Sequence, residues 1–283
     1  MLTLFVPVLV AAVALVIVGP RSRRINPRAA AWLTSCGIAI VVTSALATSW
    51  VVSLGLLSGA PFVHRLLTWC LHPMSHATVG TRVISAVALA ASAASTLHVL
   101  RVISGWWRQR VQADAGVRVV PDARPIAYVE AGRDAAVVVS TGMLQALQPS
   151  ERRAMLAHES AHVRHRHDRF LAVGRLVAGL PVVGRRVHDD LHFALERWAD
   201  EEAAAVVGNR TVVAHAVARA ALAQHESPAG ALGMAGGDIV GRVESLLAAP
   251  APARRPALVL FTAVGVAAAI QLHHLPEVLR MVC

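Results

Sequence analysis

Ala157-His158-Glu159-Ser160-Ala161-His162 is the stretch that decides how the rest of the chain is read. It is an H-E-x-x-H sequence near the end of a helix-like run that begins close to Ser150. Positions i and i+4 of a helix lie one above the other, so His158 and His162 aim their imidazoles at one point. Two neutral imidazoles suit Zn²⁺, and Glu159 between them stands where a general base for an attacking water is needed. Because the chain holds 14 His, three matching positions are weak evidence by themselves.

A second segment supplies what the first lacks: Ala194-Leu195-Glu196-Arg197-Trp198-Ala199-Asp200-Glu201-Glu202. A structural zinc site is closed by four protein ligands, whereas a catalytic one uses three and leaves a position for water. Glu196 is the candidate third ligand, returned to the two imidazoles by a downstream helix. Asp200 lies one turn later on the same face, where it can accept the free N–H of a ligating imidazole, assigned here to His158. The competing reading is an acidic solvated helix, since Asp189, Asp190, Glu201 and Glu202 lie nearby.

The 55% hydrophobic content and mean hydropathy of +0.55 exceed those of an ordinary soluble domain. Apolar runs long enough to cross a bilayer account for the excess. A net charge of +10 suggests nucleic acid until its distribution is considered. Residues 106–255 carry 19 Arg against 16 acids, and the other 8 Arg mostly flank apolar runs. That pattern belongs to membrane orientation, and no nucleic-acid partner is expected. All 27 basic residues are Arg, which reads as the coding bias of a GC-rich genome.

Four apolar runs are candidate spans. Leu2–Gly19 is uncharged and followed by Arg21, Arg23, Arg24 and Arg28, the reverse of a cleaved signal peptide; it reads as a retained helix with the Arg cluster in the cytoplasm. Ala29 to about Leu57 is the second, broken by Gly59-Ala60-Pro61. Residues 62–80 form a mixed loop suited to the outer membrane surface. Val83 to about Ile103 is the third; its many Ala and Ser predict that it packs inside the bundle. His98 and Arg101 read as interfacial, and Trp106, Trp107, Arg108 and Arg110 as an aromatic belt followed by cytoplasmic charge. Pro256–Leu272 is the fourth, preceded by Arg254 and Arg255.

Between the third and fourth runs the chain reads as α+β. Strands are expected at Val117–Val120, Pro125–Val129 and Ala135–Ser140, then a helix over Thr141–Leu147 and a motif helix opened by Pro149-Ser150-Glu151. The edge of a strand beside that helix suits an extended peptide bound by main-chain hydrogen bonds; the equal alternative is that the strands only cover the helix. Phe170–Gly184 is apolar apart from Arg175, too short for a span, and is either core or, the reading preferred here, a segment on the bilayer surface. Helices follow at about Val187–Val207 (ended by Gly208-Asn209), Thr211–Gln224 and Ile239–Ala249, with a Gly/Pro-rich linker around 227–237.

The predicted fold is thus a membrane α-helical bundle of four spans with an inserted cytoplasmic α+β zincin-like metallopeptidase domain. The spans occupy 1–105, the domain 106–255, and the fourth span with a short extracytoplasmic tail 256–283. Of the three Cys, Cys36 reads as an apolar filler, while Cys70 and Cys283 are expected outside, as a disulfide or as free thiols.

In layout and motifs the chain resembles the BlaR/MecR family of integral-membrane zinc metallopeptidases: three spans, an inward-facing domain with H-E-x-x-H and a later E-x-x-x-D, then a fourth span. The resemblance implies zinc held by His158, His162 and Glu196, with Glu159 activating water. It also implies a cytoplasmic repressor, or the protease itself, as the cleaved protein in a signalling role. The antibiotic sensors of that family end in a penicillin-binding domain, whereas 11 residues follow Leu272 here, so direct β-lactam acylation is not expected. Membrane peptidases of the CAAX-protease and HtpX kind share both motifs and imply quality control of membrane proteins instead. A third reading is a non-catalytic transducer whose zinc is structural.

The expected chemistry is peptide hydrolysis at the bacterial plasma membrane, with a protein or peptide substrate, the lipid bilayer and a second copy of the chain as candidate partners. An oxyanion donor is sought among Tyr128, His188, His192 and Arg197. His165 reads as a surface His, and Arg164, Arg166 and Asp168 as a solvated patch facing the membrane in part.

Overall fold

The computed structural model describes residues 25–57, 79–109, 116–130, 136–180, 183–226 and 236–248. The expected first and fourth spans, the outer loop, Cys70 and Cys283 lie outside them.

Two long helices come first, α1 (Pro27–Leu57) and α2 (Val79–Gln109). Both are long and apolar enough to cross a membrane, over Pro27–Trp50 and Ala86–Arg108. Polar side chains join them where they pair. Ser53 Oγ lies 3.1 Å from Ser92 Oγ, and Trp50 Nε1 donates to Thr96 Oγ1 at 3.1 Å. Small residues permit this close approach, as hydroxyls satisfied across helices are tolerated in lipid. The expected burial of the third run is reversed among the described residues. Val87, Leu97, Leu100 and Ile103 of α2 are exposed, while Ala30, Ala31, Leu33 and Ile38 of α1 are buried. Among the small residues of α2, Ser92 and Thr96 meet α1, whereas Ala90, Ala91, Ala93 and Ala94 are exposed along with the large side chains.

At about 1.5 Å per residue, 31 residues extend roughly 46 Å, well beyond a hydrocarbon core of about 30 Å. The surplus of α1 is used inside the protein. Its first three turns join Phe170, Val177, Val187, Leu191, Leu195 and Trp198 in one core, with Trp32 edge-on to Phe170 at 5.0 Å.

A three-stranded sheet follows, ordered β1 (Gly116–Val120), β3 (Ala136–Ser140), β2 (Ala127–Glu130). β3 pairs parallel to β1 and antiparallel to β2, with Val138 opposite both Arg118 and Tyr128. The β-branched run Val137-Val138-Val139 suits the one strand buried on both faces. Ser140 joins the sheet to the next helix, α3 (Thr141–Ala146). Its Oγ accepts from Ile126 N at 2.9 Å and Met143 N at 3.0 Å, and donates to Arg124 O at 2.6 Å.

α4 (Pro149–Arg164) carries the H-E-x-x-H residues and starts with Pro at its first position and a capping box between Gln148 and Glu151. α5 (His167–Ala178) and α6 (Val183–Val207) form an antiparallel pair. Here the preferred reading of 170–184 is corrected. The apolar face of α5, with Phe170, Ala172 and Val177, is buried against α1 and α6 within the protein and does not rest on a bilayer surface. Gly208, at φ +74°, ends α6, a left-handed conformation that costs glycine little. Asn209 Oδ1 then caps α7 (Arg210–Glu226) by accepting from Thr211 N at 2.9 Å. α8 (Gly236–Leu247) completes the described chain, held by Arg210, whose guanidinium donates to the carbonyls of Leu246 (2.9 Å) and Ser245 (2.8 Å).

Replacing Ser140 by Ala removes the hydroxyl that satisfies two backbone N–H groups and one carbonyl in a site with no access to water. The substitution is expected to destabilise the fold by roughly 1–3 kcal/mol, read as a lowered midpoint of thermal unfolding in detergent.

Candidate metal centre and active site

α4 and α6 pack against each other, and their contact brings the two sequence signals together. His158 Nε2 and His162 Nε2 lie 3.1 Å apart. Glu196 places Oε2 at 3.4 Å from His158 Nε2 and Oε1 at 3.4 Å from His162 Nε2. Tetrahedral zinc with bonds of about 2.0–2.1 Å sets neighbouring donors about 3.3 Å apart. The two imidazole nitrogens, and each of them to the nearer oxygen of the carboxylate, keep spacings of that size, and the set of two imidazoles and one carboxylate is that of a catalytic rather than a closed structural centre. Among the described residues this is the only group of His, Cys, Asp or Glu so disposed.

The three residues line a cleft of about 450 Å³. Glu159 lines it beside the triad, and so do Ala127, Tyr128 and Val129 of β2. β2 is an edge strand, so the backbone of the sheet borders the metal position. Met143, Met155, Val213, Val217 and Ala220 supply an apolar wing of the cleft lining, and Trp106, Asp168 and Arg175 line it too.

Asp200 Oδ1 lies 2.9 Å from His158 Nδ1, the imidazole to which the sequence reading assigned it. That contact orients the ring and leaves Nε2 for the metal. The charges around it are balanced by a residue that sequence reasoning missed. Arg242 of α8 forks onto Asp200, Nε to Oδ2 and Nη2 to Oδ1, both at 2.8 Å. Its Nη1 reaches Glu196 Oε2 at 2.8 Å. One buried guanidinium thus faces the buried Asp200 and the partly exposed Glu196. Against the cost of burial, Arg242 and then His158 hold Asp200 below the usual carboxylate range. Burial also opposes ionisation of Glu196, but the neighbouring His162, His158 and Arg242 hold it well below that range. The Glu159 carboxyl goes the other way: burial raises it, with His158 opposing and Glu196 adding to the rise. A carboxyl so placed takes up a proton more readily than a solvated one.

His167, the first residue of α5, was also missed. Its Nδ1 lies 2.9 Å from His162 Nδ1, so each ring of the His pair has a partner behind it. Of the oxyanion candidates, Tyr128 lines the cleft, and His192 Nε2 comes to 4.0 Å from Glu196 Oε1. Arg197 instead lies over the Phe193 ring, and the His188 ring packs beside Gly174; neither lines the cleft. The surface reading of His165 is corrected: its ring lies 4.7 Å from that of Trp198, and its Nε2 meets Glu202 Oε1 at 3.2 Å. In the solvated patch Arg164 is exposed, as expected, while Asp168 is tied to the end of α2. Arg164 pairs with Glu202 at 2.6 Å, and Asp168 accepts from Trp106 Nε1 at 2.7 Å.

Removing Arg242 leaves the buried Asp200 and the partly buried Glu196 without their cation. Arg242→Met keeps much of the apolar stem and is expected to cost about 3–5 kcal/mol, measured by chemical unfolding of the detergent-solubilised chain.

No solved structure matches the chain. A family model does: residues 112–237 match that of peptidase family M48. The matched stretch holds all three donors of the centre and Glu159, and it stops short of Arg242. Residues 112–237 of this membrane-embedded chain form an M48-family zinc-peptidase domain with a His-His-Glu metal-binding triad, and the activity that goes with it is that of a zinc metalloendopeptidase.

Proposed function

We propose that this protein hydrolyses peptide bonds of a protein substrate at the cytoplasmic face of a membrane, in regulatory signalling, with Glu159 as the catalytic base. The observation that carries the reading is the position of Glu159 on the wall of a cleft whose floor is the His158, His162 and Glu196 cluster. Zinc bound by those three residues supplies a Lewis acid that polarises the scissile carbonyl and lowers the pKa of water. The remaining work belongs to the chain. Glu159 accepts the proton of the attacking water and passes it to the departing amine. Asp200 holds His158 through its Nδ1, and Arg242 keeps Asp200 and Glu196 ionised and fixed. The open edge of β2 binds substrate backbone in extended form, while the wing of Met143, Met155, Val213 and Val217 accepts an apolar side chain. Tyr128 is the candidate donor to the oxyanion.

The cytoplasmic assignment draws on Arg21, Arg23 and Arg24 before α1, Arg28 in its first turn and Arg108 at the end of α2, the two helix ends that meet the domain. The BlaR/MecR-like layout favours a repressor, or the protease itself, as the substrate. A second reading, quality control of membrane proteins, is favoured by Trp106, a residue of α2 that lines the cleft and brings it next to the candidate span.

Glu159→Gln is expected to lower turnover by about 10²–10⁴-fold while zinc content, measured by metal analysis of the purified chain, stays at one ion per site. Substrates trapped on that variant would separate the two readings: a soluble DNA-binding protein supports the first and membrane proteins the second. Undiminished turnover removes Glu159 from its role.

A further inference from the structure

Only two residues, His165 and Arg166, separate α4 from α5. Arg166 adopts φ 53° and ψ 49°, the only non-glycine residue with positive φ among those described. This conformation is disfavoured for a side chain with a Cβ and persists where its surroundings hold it. It reverses the chain tightly, so that His167 comes back against the α4 ring it follows by five positions. His167 is 1% exposed. Its ring sits 4.7 Å from His162, edge-on, and 4.8 Å from Trp198.

The 2.9 Å separation of the two Nδ1 atoms has one chemical consequence. Two bare lone pairs at that distance repel, so one nitrogen carries a proton. The Nε2 of His162 faces His158 and Glu196, and a ligating nitrogen must be unprotonated. The single proton of a neutral His162 then lies on Nδ1, where it donates to His167 Nδ1. His167 is left with its own proton on Nε2. A buried phenyl ring could fill the same space but could not accept that bond.

The next residue ties this arrangement to the membrane helix. Asp168 accepts from Trp106 Nε1 at 2.7 Å, and Arg169 lies over the Trp106 ring at 6.0 Å. Trp106 is in the last turn of α2. The first turn of α5, which carries His167, is therefore fastened to the end of a candidate span.

We propose that His167 is a positioning residue that accepts the Nδ1 proton of His162 and orients it for the metal, and that the Trp106–Asp168 bond makes this orientation depend on how α2 is seated. The proposal rests on the reading of His158, His162 and Glu196 as the zinc site. Zinc affinity of the full chain in detergent, measured by chelator competition, and the visible spectrum of the Co²⁺-substituted protein test it. His167→Phe is expected to weaken zinc binding by about 10–100-fold and to shift the Co²⁺ bands. His167→Gln, which keeps an acceptor, should restore most of the affinity. Trp106→Phe, which keeps an aromatic ring outside the core, should shift the same bands and weaken affinity a few-fold. Wild-type affinity and spectrum in His167→Phe would reduce His167 to a packing residue, and an unchanged Trp106→Phe would sever the link to α2. Should His167→Phe fail to fold, the Gln variant decides: binding as weak as that of His162→Ala overturns the positioning role. His158→Ala and His162→Ala separate this failure from the deeper one, because zinc retained at wild-type affinity in those variants would displace the metal site itself.

Discussion

The site depends on one guanidinium. Arg242 lies between two carboxylates, Asp200 withdrawn from water and Glu196 on the wall of the cleft, and without it the two would repel each other across a poorly solvated gap. Asp200 in turn sets the ring of His158. The α4–α6 contact, which brings the donors together, thus has an electrostatic condition that α8 satisfies. Arg210 makes this possible by holding the last carbonyls of α8 and pairing with Glu201 of α6. The metal centre is in that sense built from three helices although only two supply its ligands.

The two imidazoles are supported differently. His158 is backed by a carboxylate already paired with a cation, His162 by a neutral imidazole wedged against Trp198. A carboxylate partner increases the electron density of its ring more than an imidazole does. The centre is accordingly asymmetric: one ligand is held firmly by charge, the other by packing and a single neutral hydrogen bond.

Much of this was legible from residue order. The i, i+4 spacing of His158 and His162 and the Glu196/Asp200 pair one turn apart are local, and a helix converts local spacing into geometry without help from the rest of the fold. The strands were legible because Val137-Val138-Val139 is a β-branched run between turn residues, and the end of α6 because Gly208-Asn209 punctuates it. Arg242 was not legible. It follows Asp200 by 42 positions, across a Gly/Pro-rich stretch, and nothing in its neighbours distinguishes a buried guanidinium from a solvated one. His167 was not legible because it lies past the end of the motif run, and only the left-handed Arg166 returns it to His162. The seating of α5 was misjudged because amphipathic spacing reports that one face is apolar, not whether protein or lipid covers it.

The surplus length of α1 has a consequence for how the molecule can be divided. Ile25 to Ile38 share a core with Phe170, Val177, Leu191, Leu195 and Trp198. Hydrophobic surface of that kind has no other cover among the described elements. Excision of the peptidase segment at the end of α2 would strip away this lining and turn an interior into an adhesive exterior. A water-soluble fragment of the enzyme should therefore be engineered by retaining, or replacing, the first three turns of α1 and not by trimming to the matched domain.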